Sequence, residues 1–301
     1  MRVTVLVNPA AGRGRAAALA EAAVDRLCEL GAEVSVRSGR SARETERLAA
    51  EALADRPDRL AVVGGDGTLS AILEPLMRSE VPLVLIPAGT GNDLARALRL
   101  PQGGARAAVA AAELALTGSE TAIDTAVAEC PDGRAHFVTV AALGFDARVS
   151  ERTNRLRWPH GRLRYFLALA IELVRLSPLP FRISADGGAP YRAPGILVAV
   201  ANTPSYGGGM PMCPRADIRD GLLDVTRIEP ISRLTLVRLF PLLLRARHLE
   251  RAEVGSERVR RLRIDAPGLV VYADGERVGT GPVEISVRPG ALRVMAPRDA
   301  A

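Results

Sequence analysis

The chain has 301 residues, 48% of them hydrophobic, and a net charge of +6. This length and apolar content suffice for one large or two medium globular domains. All 40 basic residues are arginine, which excludes a lysine nucleophile, a Schiff base and a phosphate-loop lysine. The charge suits nucleic acid or an anionic membrane surface, but aromatic residues are only 3%, too few for base stacking, so we expect no nucleic-acid partner.

Residues that would anchor or export the chain are not evident. The three cysteines are scattered, which is typical of a reduced compartment. The first apolar run ends at Asn8-Pro9, too early for a signal peptide. The longest apolar helical run, 165–176, contains Glu172 and Arg175 and is too short to span a bilayer. We therefore expect a cytoplasmic protein that touches a membrane only peripherally.

The first third of the chain alternates predicted strands and helices. Apolar runs predict strands at 3–7, 33–37, 60–63 and 83–86, and helical patterns lie at 15–30, 42–54, 69–77, 94–98 and 104–116. This rhythm indicates a doubly wound parallel sheet with helices on both faces. Because such sheets bind ligands at the carboxyl ends of their strands, we expect the loops at 8–14, 64–68 and 87–93 to converge.

Shorter alternating runs follow and predict an antiparallel, sandwich-like second domain. The strands are expected at 122–128, 136–142, 181–184, 196–201, 223–228, 259–265, 269–273 and 283–287, with helices at 163–176 and 232–248. The closing run 291–295 is expected to pair back with the first domain. We therefore place one domain at 1–121 with 291–301, and a β-rich domain at 122–290.

The loop after the third strand is rich in glycine. Gly64-Gly65-Asp66-Gly67-Thr68 follows four apolar residues, and Thr68 is expected to cap the next helix. Backbone N–H groups at such a helix N-terminus bind phosphate, although a tight turn without a ligand is the alternative. Without a lysine, Mg²⁺ is needed to neutralise charge in phosphoryl transfer, and Asp66 would lie near it.

A second loop, Gly89-Thr90-Gly91-Asn92-Asp93, repeats this pattern after the fourth strand. Asn92 and Asp93 are also compatible with ordinary helix capping. The segment Gly12-Arg13-Gly14 fits a dinucleotide fingerprint only weakly, because the second strand ends in Arg37-Ser38 rather than in an acidic residue. An NAD(P) oxidoreductase is therefore disfavoured.

Two acidic stretches lie in the second domain. The first contains three carboxylates, Asp217, Asp220 and Asp224, grouped around the Asp220-Gly221 turn. This pattern fits either a loop that binds a hard cation or a solvated turn. Asp274-Gly275-Glu276 follows an apolar run, and from the residues alone the better interpretation is a hairpin turn.

These motifs, together with Leu143-Gly144-Phe145-Asp146 and Tyr206-Gly207-Gly208-Gly209, resemble the diacylglycerol kinase catalytic family over essentially the whole chain. Within it, the chain is most similar to the soluble bacterial lipid kinases. The resemblance implies an NAD kinase/diacylglycerol kinase-like α/β domain, a β-sandwich-like domain, and ATP- and Mg²⁺-dependent phosphorylation of a lipid hydroxyl, with diacylglycerol or a related lipid as acceptor. An NAD kinase-like activity on a soluble nucleotide and a non-catalytic nucleotide- or lipid-binding homologue are the alternatives.

The resemblance also implies roles for individual residues. The ATP site would comprise Asn8, Ser38, Gly64, Gly65, Asp66, Gly67, Thr68, Leu69, Ser70 and Thr90. A structural Mg²⁺ would be bound by the Asp220 carboxylate and by the carbonyls of Asp217 and Leu222. Glu276 would be the general base, with Asp274 beside it. Asp124 and Asp146 would either join this acidic network or cap local structure.

The helical runs at 155–176 and 232–248 combine leucines with arginines, and the first includes Trp158. A basic, apolar helix fits docking on an anionic membrane surface, but any amphipathic helix that packs on a core shows the same pattern. The sequence leaves the oligomeric state open, including a homodimer.

Overall fold

The computed structural model describes residues 1–156, 158–159 and 162–298. The chain forms two compact units. The first comprises Met1–Thr125, Gly207–Gly209 and Pro289–Ala301, and the second comprises Ala126–Tyr206 and Met210–Arg288.

The first unit contains a parallel sheet. Its strands are β1 (Arg2–Val7), β2 (Glu33–Ser38), β3 (Arg59–Gly64), β4 (Leu83–Pro87) and the last part of β16 (Val283–Ala296), in the order β2-β1-β3-β4-β16. All neighbouring pairs are parallel, and the final strand pairs Val294 with Leu83. Nearly every residue of β3 and β4 is buried, as expected of strands covered on both faces.

Five helices cover this sheet: α1 (Ala16–Glu29), α2 (Ala42–Ala54), α3 (Asp66–Ser79), α4 (Asp93–Ala97) and α5 (Gly104–Thr117). Helix α1 packs against α5, and α2 packs against α3. Alanines on α1 and α5 are buried together with the sheet residues, and their small side chains allow close approach. The predicted doubly wound α/β fold is confirmed.

The second unit is a sandwich of two antiparallel sheets. The strands outside β16 are β5 (Ser119–Cys130, from Ala126 on), β6 (Gly133–Phe137), β7 (Val140–Gly144), β8 (Leu179–Ala185), β9 (Tyr191–Gly195), β10 (Leu197–Ala201), β11 (Leu223–Ile228), β12 (Val254–Val259), β13 (Arg261–Asp265), β14 (Val270–Ala273) and β15 (Glu276–Thr280). One sheet has the order β12-β11-β10-β7-β14-β15. The other contains β16-β13-β8-β9, and β5 pairs with β6. Buried residues of both sheets, among them Phe137, Phe181 and Val198, form one core, which confirms the predicted sandwich.

Three helices complete this unit: α6 (Phe145–Arg155), α7 (Arg162–Val174) and α8 (Arg233–Leu244). The sequence did not predict α6. The predicted strand 259–265 is in fact two strands, because the chain passes from one sheet to the other at Arg260, between β12 and β13. Within the described residues, no helix combines the length and the apolar character needed to cross a membrane.

Candidate active site

The residues predicted to contact nucleotide lie at the carboxyl ends of neighbouring strands in the first unit. Ser38 ends β2, Asn8 follows β1, residues 64–70 follow β3, and Thr90 follows β4. Ser38 and Thr90 are exposed, whereas Leu69 is buried and offers a ligand only its backbone. Helix α1, which follows β1, packs against α5, whereas helix α3, which follows β3, packs against α2. This edge is therefore the topological switch point at which such sheets bind ligands.

Helix α3 begins at Asp66 and has Gly65 as its N-cap, so the prediction that Thr68 is the cap is wrong. The helix starts immediately after the strand. As a result Thr68 lies over Gly64, and a Cβ added to Gly64 would lie 2.6 Å from the Cβ of Thr68. Thr68 instead lies in the first helical turn, where its Oγ1 accepts a hydrogen bond of 2.9 Å from Nδ2 of Asn8. Thr68 and Asn8 thus join the loops after β1 and β3. A glycine cap supplies no side chain to the first N–H groups of α3, the arrangement found at phosphate sites.

The two glycine loops contact each other through their backbones. A Cβ on Gly89 would lie 2.6 Å from Cα of Gly65. The Asp66 carboxylate joins the same loops, because Oδ2 accepts the N–H of Asn92 at 2.7 Å and Oδ1 accepts that of Asp93 at 2.9 Å. Burial and the neighbouring Asp93 raise the pKa of Asp66, although these N–H groups oppose the shift. Asp66 therefore braces the second loop with both of its oxygens.

Asp93 has a role that the sequence did not reveal. It is buried, and its two oxygens accept the N–H groups of Gly209 at 2.8 Å and Gly208 at 2.9 Å. Arg96 Nη1 lies 3.4 Å from Oδ1. The backbone donors of the Gly207–Gly209 loop thus bind Asp93 within the first unit.

In the second unit, Asp274-Gly275 forms the two-residue hairpin turn between β14 and β15. Both residues have positive φ, 49° and 83°, as a type I′ turn requires. The Asp274 carboxylate accepts hydrogen bonds of 2.9 Å from the N–H groups of Val138 and Thr139, and a third from the Thr139 hydroxyl. Asp274 therefore anchors the hairpin to the segment before β7.

Glu276, the first residue of β15, is exposed. Among the described residues its carboxylate has no hydrogen-bond or ion-pair partner. The hairpin thus holds two acidic residues in different conditions: Asp274 is anchored, whereas Glu276 makes no hydrogen bond or ion pair within the described part of the chain.

A polar network lies beside the hairpin and was not predicted. The Tyr272 hydroxyl donates to Glu151 of α6 at 2.8 Å and accepts from Asn154 at 3.3 Å. Arg277 Nε lies 3.6 Å from Glu151. Partial burial would raise the pKa of Glu151, but Tyr272 and Arg155 lower it. This network fixes the strand residues on both sides of the turn against α6.

The acidic turn at 217–224 is already partly neutralised by Arg258. Arg258 forms an ion pair with Asp220, and its Nε lies 3.3 Å from Oδ2 of Asp224, its cross-strand neighbour. The other Asp220 oxygen accepts the N–H of Leu222 at 3.0 Å. Burial and Asp217 raise the pKa of Asp224 to about 6, against the effect of Arg215.

This turn fits a hard cation by its chemistry, since carboxylate and peptide oxygens are the ligands that Mg²⁺ takes. Burial is the main cause of the raised pKa of Asp224 and Asp217 adds to it, and a nearby cation would favour the charged form. No cluster of three or more metal-ligating His, Cys, Asp or Glu side chains occurs in the described part of the chain. A cation here would therefore compete with Arg258 and depend on carbonyl ligands.

Asp124 and Asp146, the other two aspartates considered for the acidic network, each accept a hydrogen bond from a group in their own unit. Asp124 accepts the N–H of Gly290 at 2.7 Å in the first unit. Asp146 accepts the Tyr206 hydroxyl at 2.5 Å in the second, and burial raises its pKa.

Residues 2–128 match the family described as "Diacylglycerol kinase catalytic domain", and residues 139–296 match "YegS C-terminal NAD kinase beta sandwich-like domain". The chain is 44% identical over 298 residues to "Diacylglycerol kinase" of Mycobacterium tuberculosis, covering 99% of this chain and 96% of the relative. The chain belongs to the diacylglycerol kinase family. The predicted membership of a lipid kinase family, and with it the prediction that the protein is an enzyme, is confirmed.

Other relatives agree with this assignment. The kinase is 32% identical to "Probable lipid kinase YegS-like" of Stenotrophomonas maltophilia, covering 89% of this chain and 88% of the relative. The crystal structure of a putative diacylglycerol kinase from Bacillus anthracis superposes with a TM-score of 0.79 at 23% identity, covering 100% of this chain and 98% of that one. Yeast NADH kinase, solved with NADH, shares the fold with a TM-score of 0.51 at 15% identity, covering 99% and 84%.

Two polar arrangements, one in each unit, escaped prediction because the residues that form them are distant in sequence. Asp93 and its donor Gly209 are 116 residues apart, and Tyr272 and Glu151 are 121 apart. The motif Gly-Asn-Asp at 91–93 was the only available signal for Asp93. Nothing in the sequence marks Glu151, which lies in a polar helix beyond the motif at 143–146.

Proposed function

We propose that this kinase transfers the γ-phosphoryl group of ATP to the hydroxyl group of a lipid, diacylglycerol or a related alcohol, with Mg²⁺ as cofactor. The observation that carries the proposal is the Gly65–Gly89 contact, held by Asp66. It presents the N-terminus of α3 and the second glycine loop together at the switch point of the sheet. The names of the relatives, diacylglycerol kinase and lipid kinase, support a lipid as the acceptor.

The chain lacks the lysine that many nucleotide sites use, so backbone N–H groups of residues 64–70 would bind the phosphates. Asn8 and Thr68, already hydrogen-bonded to each other, would hold the rim of this loop. The exposed hydroxyls of Ser38 and Thr90 would add polar contacts to the nucleotide. Bound Mg²⁺ would neutralise the charge that develops on the transferred group.

Glu276 is proposed as the general base. The acceptor hydroxyl gives its proton to the Glu276 carboxylate while its oxygen forms the new bond to the γ-phosphorus, and the bond to the β–γ bridging oxygen breaks. The exposed carboxylate, which has no partner among the residues that the structure describes, supports this role. Asp274 acts indirectly, by holding the hairpin that carries Glu276.

A second Mg²⁺ is proposed at the acidic turn of the second unit. The Asp220 carboxylate and the carbonyls of Asp217 and Leu222 would bind it, and its role would be structural. The supporting observation is the group of carboxylates in this turn, Asp217, Asp220 and Asp224, of which Arg258 pairs with the last two.

We also propose that the kinase works in the cytoplasm and contacts an anionic membrane peripherally. Helices α7 and α8 expose a set of large apolar side chains, here called the apolar face: Leu163, Phe166, Val174, Leu234, Val237, Phe240 and Leu244. Exposed Arg175, Arg238 and Arg245 lie on or next to these helices and pair with no carboxylate in the described parts of the chain. Apolar side chains flanked by unpaired cations fit anionic headgroups. Part of the arginine cluster around Trp158 lies outside the described residues.

The decisive experiment incubates the purified protein with γ-³²P-ATP, Mg²⁺ and a total lipid extract. We expect labelled product in the organic phase. Label that stays in the aqueous phase on a nucleotide would support the NAD kinase-like alternative instead. ATP binding without any transfer would indicate a non-catalytic homologue.

A further inference from the structure

The β14–β15 hairpin, whose second strand begins with the proposed general base, has an irregular pairing close to its turn. Val271 lies opposite Gly279, whereas Tyr272, the next residue of β14, lies opposite Arg277. Val278 is thus the extra residue of a β-bulge, a feature that locally disrupts the ladder and bends the strand. Because β15 is also the last strand of its sheet, the segment between the turn and the bulge depends on contacts outside the ladder for its position.

The cross-strand pair on the turn side of the bulge contacts a single carboxylate of helix α6. The Tyr272 hydroxyl donates to Oε2 of Glu151 at 2.8 Å, and Arg277 Nε lies 3.6 Å from the same oxygen. Tyr272 is 2% exposed and the Glu151 side chain 17% exposed, so water weakens these contacts less than it would at the surface. Glu151 therefore fixes both strands of the hairpin to α6.

Glu276 lies along the chain between two anchored positions. Asp274 ties the turn to the segment before β7, and Arg277 lies beside Glu151. The Glu276 carboxylate itself makes no hydrogen bond or ion pair among the residues that the structure describes. Its direction is therefore set by the backbone that its anchored neighbours hold.

Arg277 directly follows Glu276 and carries a charge that would affect it. Successive side chains of a strand point to opposite faces, and the Arg277 guanidinium lies on the side of α6, next to Glu151. A cation that paired with Glu276 would favour its charged form and so make it a poorer proton acceptor. By holding Arg277, Glu151 thus keeps this cation on the other face of the strand.

We propose that Glu151 is a positioning residue for the general base of the kinase. It acts in two ways: its hydrogen bond with Tyr272 holds the hairpin, and its charge keeps the Arg277 guanidinium from pairing with Glu276. The proposal rests on the lipid kinase function proposed above, and it names residues that control the base through the hairpin rather than through substrate.

The first test measures turnover at varied ATP, using the full chain, Mg²⁺ and the total lipid extract in mixed micelles. Glu151→Gln keeps an acceptor oxygen for Tyr272 but removes the charge that holds Arg277. It should lower kcat by about tenfold or more and leave KM for ATP within about twofold of the wild-type value. Glu257→Gln is the matched control, because Glu257 accepts the Tyr191 hydroxyl at 2.9 Å elsewhere in the second unit and should keep wild-type kcat.

A second substitution distinguishes positioning from structural support. The double variant Glu151→Gln/Arg277→Gln should regain kcat to within about fivefold of the wild type, because no guanidinium is left to pair with Glu276. A merely structural role of Glu151 predicts the opposite, since the double variant has lost two residues of the network. Tyr272→Phe keeps the buried ring and removes only the hydroxyl, and it should lower kcat severalfold at unchanged KM for ATP.

Hydrogen exchange followed by mass spectrometry tests the anchor without ATP or lipid. Tyr272→Phe should raise amide exchange at 270–280 but not in β12. If the wild type phosphorylates lipid and Glu151→Gln keeps wild-type kcat, or if the double variant regains nothing, the positioning proposal fails and the activity stands. If exchange rises as expected but no lipid is phosphorylated, the anchor holds the hairpin and the proposed activity fails. Unchanged exchange in Tyr272→Phe overturns the positioning proposal with or without activity.

Discussion

Gly65 and Gly89 touch through their backbones, and a Cβ on either residue would lie within 2.8 Å of Cα of the other. This contact joins the glycine loops after β3 and β4. No side chain fits between them, so both positions require glycine for reasons of space rather than of backbone flexibility.

Gly89→Ala should lower the free energy of unfolding by about 1–3 kcal/mol, because the added methyl group forces the loops apart. Gly67→Ala is the matched control in the same loop. A Cβ on Gly67 meets nothing within 4 Å, and alanine is favoured over glycine within a helix by about 0.5–1 kcal/mol. Urea denaturation followed by circular dichroism measures both. Equal stability of the two variants would contradict the close approach.

Glu276→Gln should lower kcat by about 10²–10⁴-fold while ATP affinity and melting temperature stay at wild-type values. The residue is exposed and anchors nothing in the described structure.

Asp274→Asn should behave in the opposite way. Its amide would turn an NH₂ group toward N–H donors, and we expect a loss of about 1–3 kcal/mol in unfolding free energy. Kinase assays paired with thermal melts distinguish the two; wild-type turnover in Glu276→Gln would remove the residue from its role.

Mg²⁺ at the acidic turn should compete with the guanidinium of Arg258. Without nucleotide, Mg²⁺ should raise the melting temperature of Arg258→Ala more than that of the wild type. The variant lacks the competing guanidinium and should bind Mg²⁺ more tightly, and a ligand stabilises the folded state according to its affinity for it. Arg260→Ala, which changes an exposed arginine two residues away, is the control and should respond as the wild type does. Asp220→Asn should reduce the response. An identical response in all four proteins would place Mg²⁺ elsewhere.

Membrane contact should depend on the apolar face. Phe166→Glu combined with Leu234→Glu should reduce sedimentation with anionic vesicles by more than about tenfold, since burying one such side chain contributes about 1.5–3 kcal/mol. Val36→Glu changes a comparably exposed side chain, 54%, on β2 and should have no effect. Neutral vesicles should bind the wild type more weakly than anionic ones. A dimer in solution that the double substitution dissociates would show that a second copy covers this face instead.

His248 should make stability depend on pH. Its side chain is fully buried and burial lowers its pKa, so the unfolded chain takes up a proton below pH 6.5 that the folded chain does not. The free energy of unfolding should therefore fall as the pH drops below 6.5 toward the lowered pKa. His248→Gln keeps a donor for the Met212 carbonyl and removes this titration. The difference between wild type and variant, measured by urea denaturation from pH 5 to 7.5, should change sharply below pH 6.5; a constant difference would contradict the shift.

The sequence predicted the first unit well because its signals are local. Strands β1, β3 and β4 are apolar runs that end at Val7, Gly64 and Pro87, and the order of motifs indicated the family. Helix α6 escaped because its sequence, from Phe145 to Arg155, is polar over most of its length. The N-cap of α3 was misplaced by three residues because the threonine was favoured over a glycine cap.

Contacts between segments that are distant in sequence could not be predicted in the same way. Asp93 was predicted as part of the second glycine loop, with helix capping as the alternative, and only the fold shows that it accepts hydrogen bonds from Gly208 and Gly209. Arg258 lies opposite Asp224 on the neighbouring strand, and the sequence does not reveal how these two strands are aligned. Propensity and spacing describe neighbours along the chain, whereas these pairs depend on how the strands align.

The pairing of Val294 with Leu83 and the hydrogen bonds from Gly208 and Gly209 to Asp93 bear on how the protein is made. On the ribosome, β4 leaves the exit tunnel long before β16 is synthesised. Until then the edge of the parallel sheet has no partner strand, and the second glycine loop lacks its two backbone donors. The nascent chain therefore cannot complete its first unit before β16 has been synthesised, and a competent enzyme requires this late strand as well as the early ones.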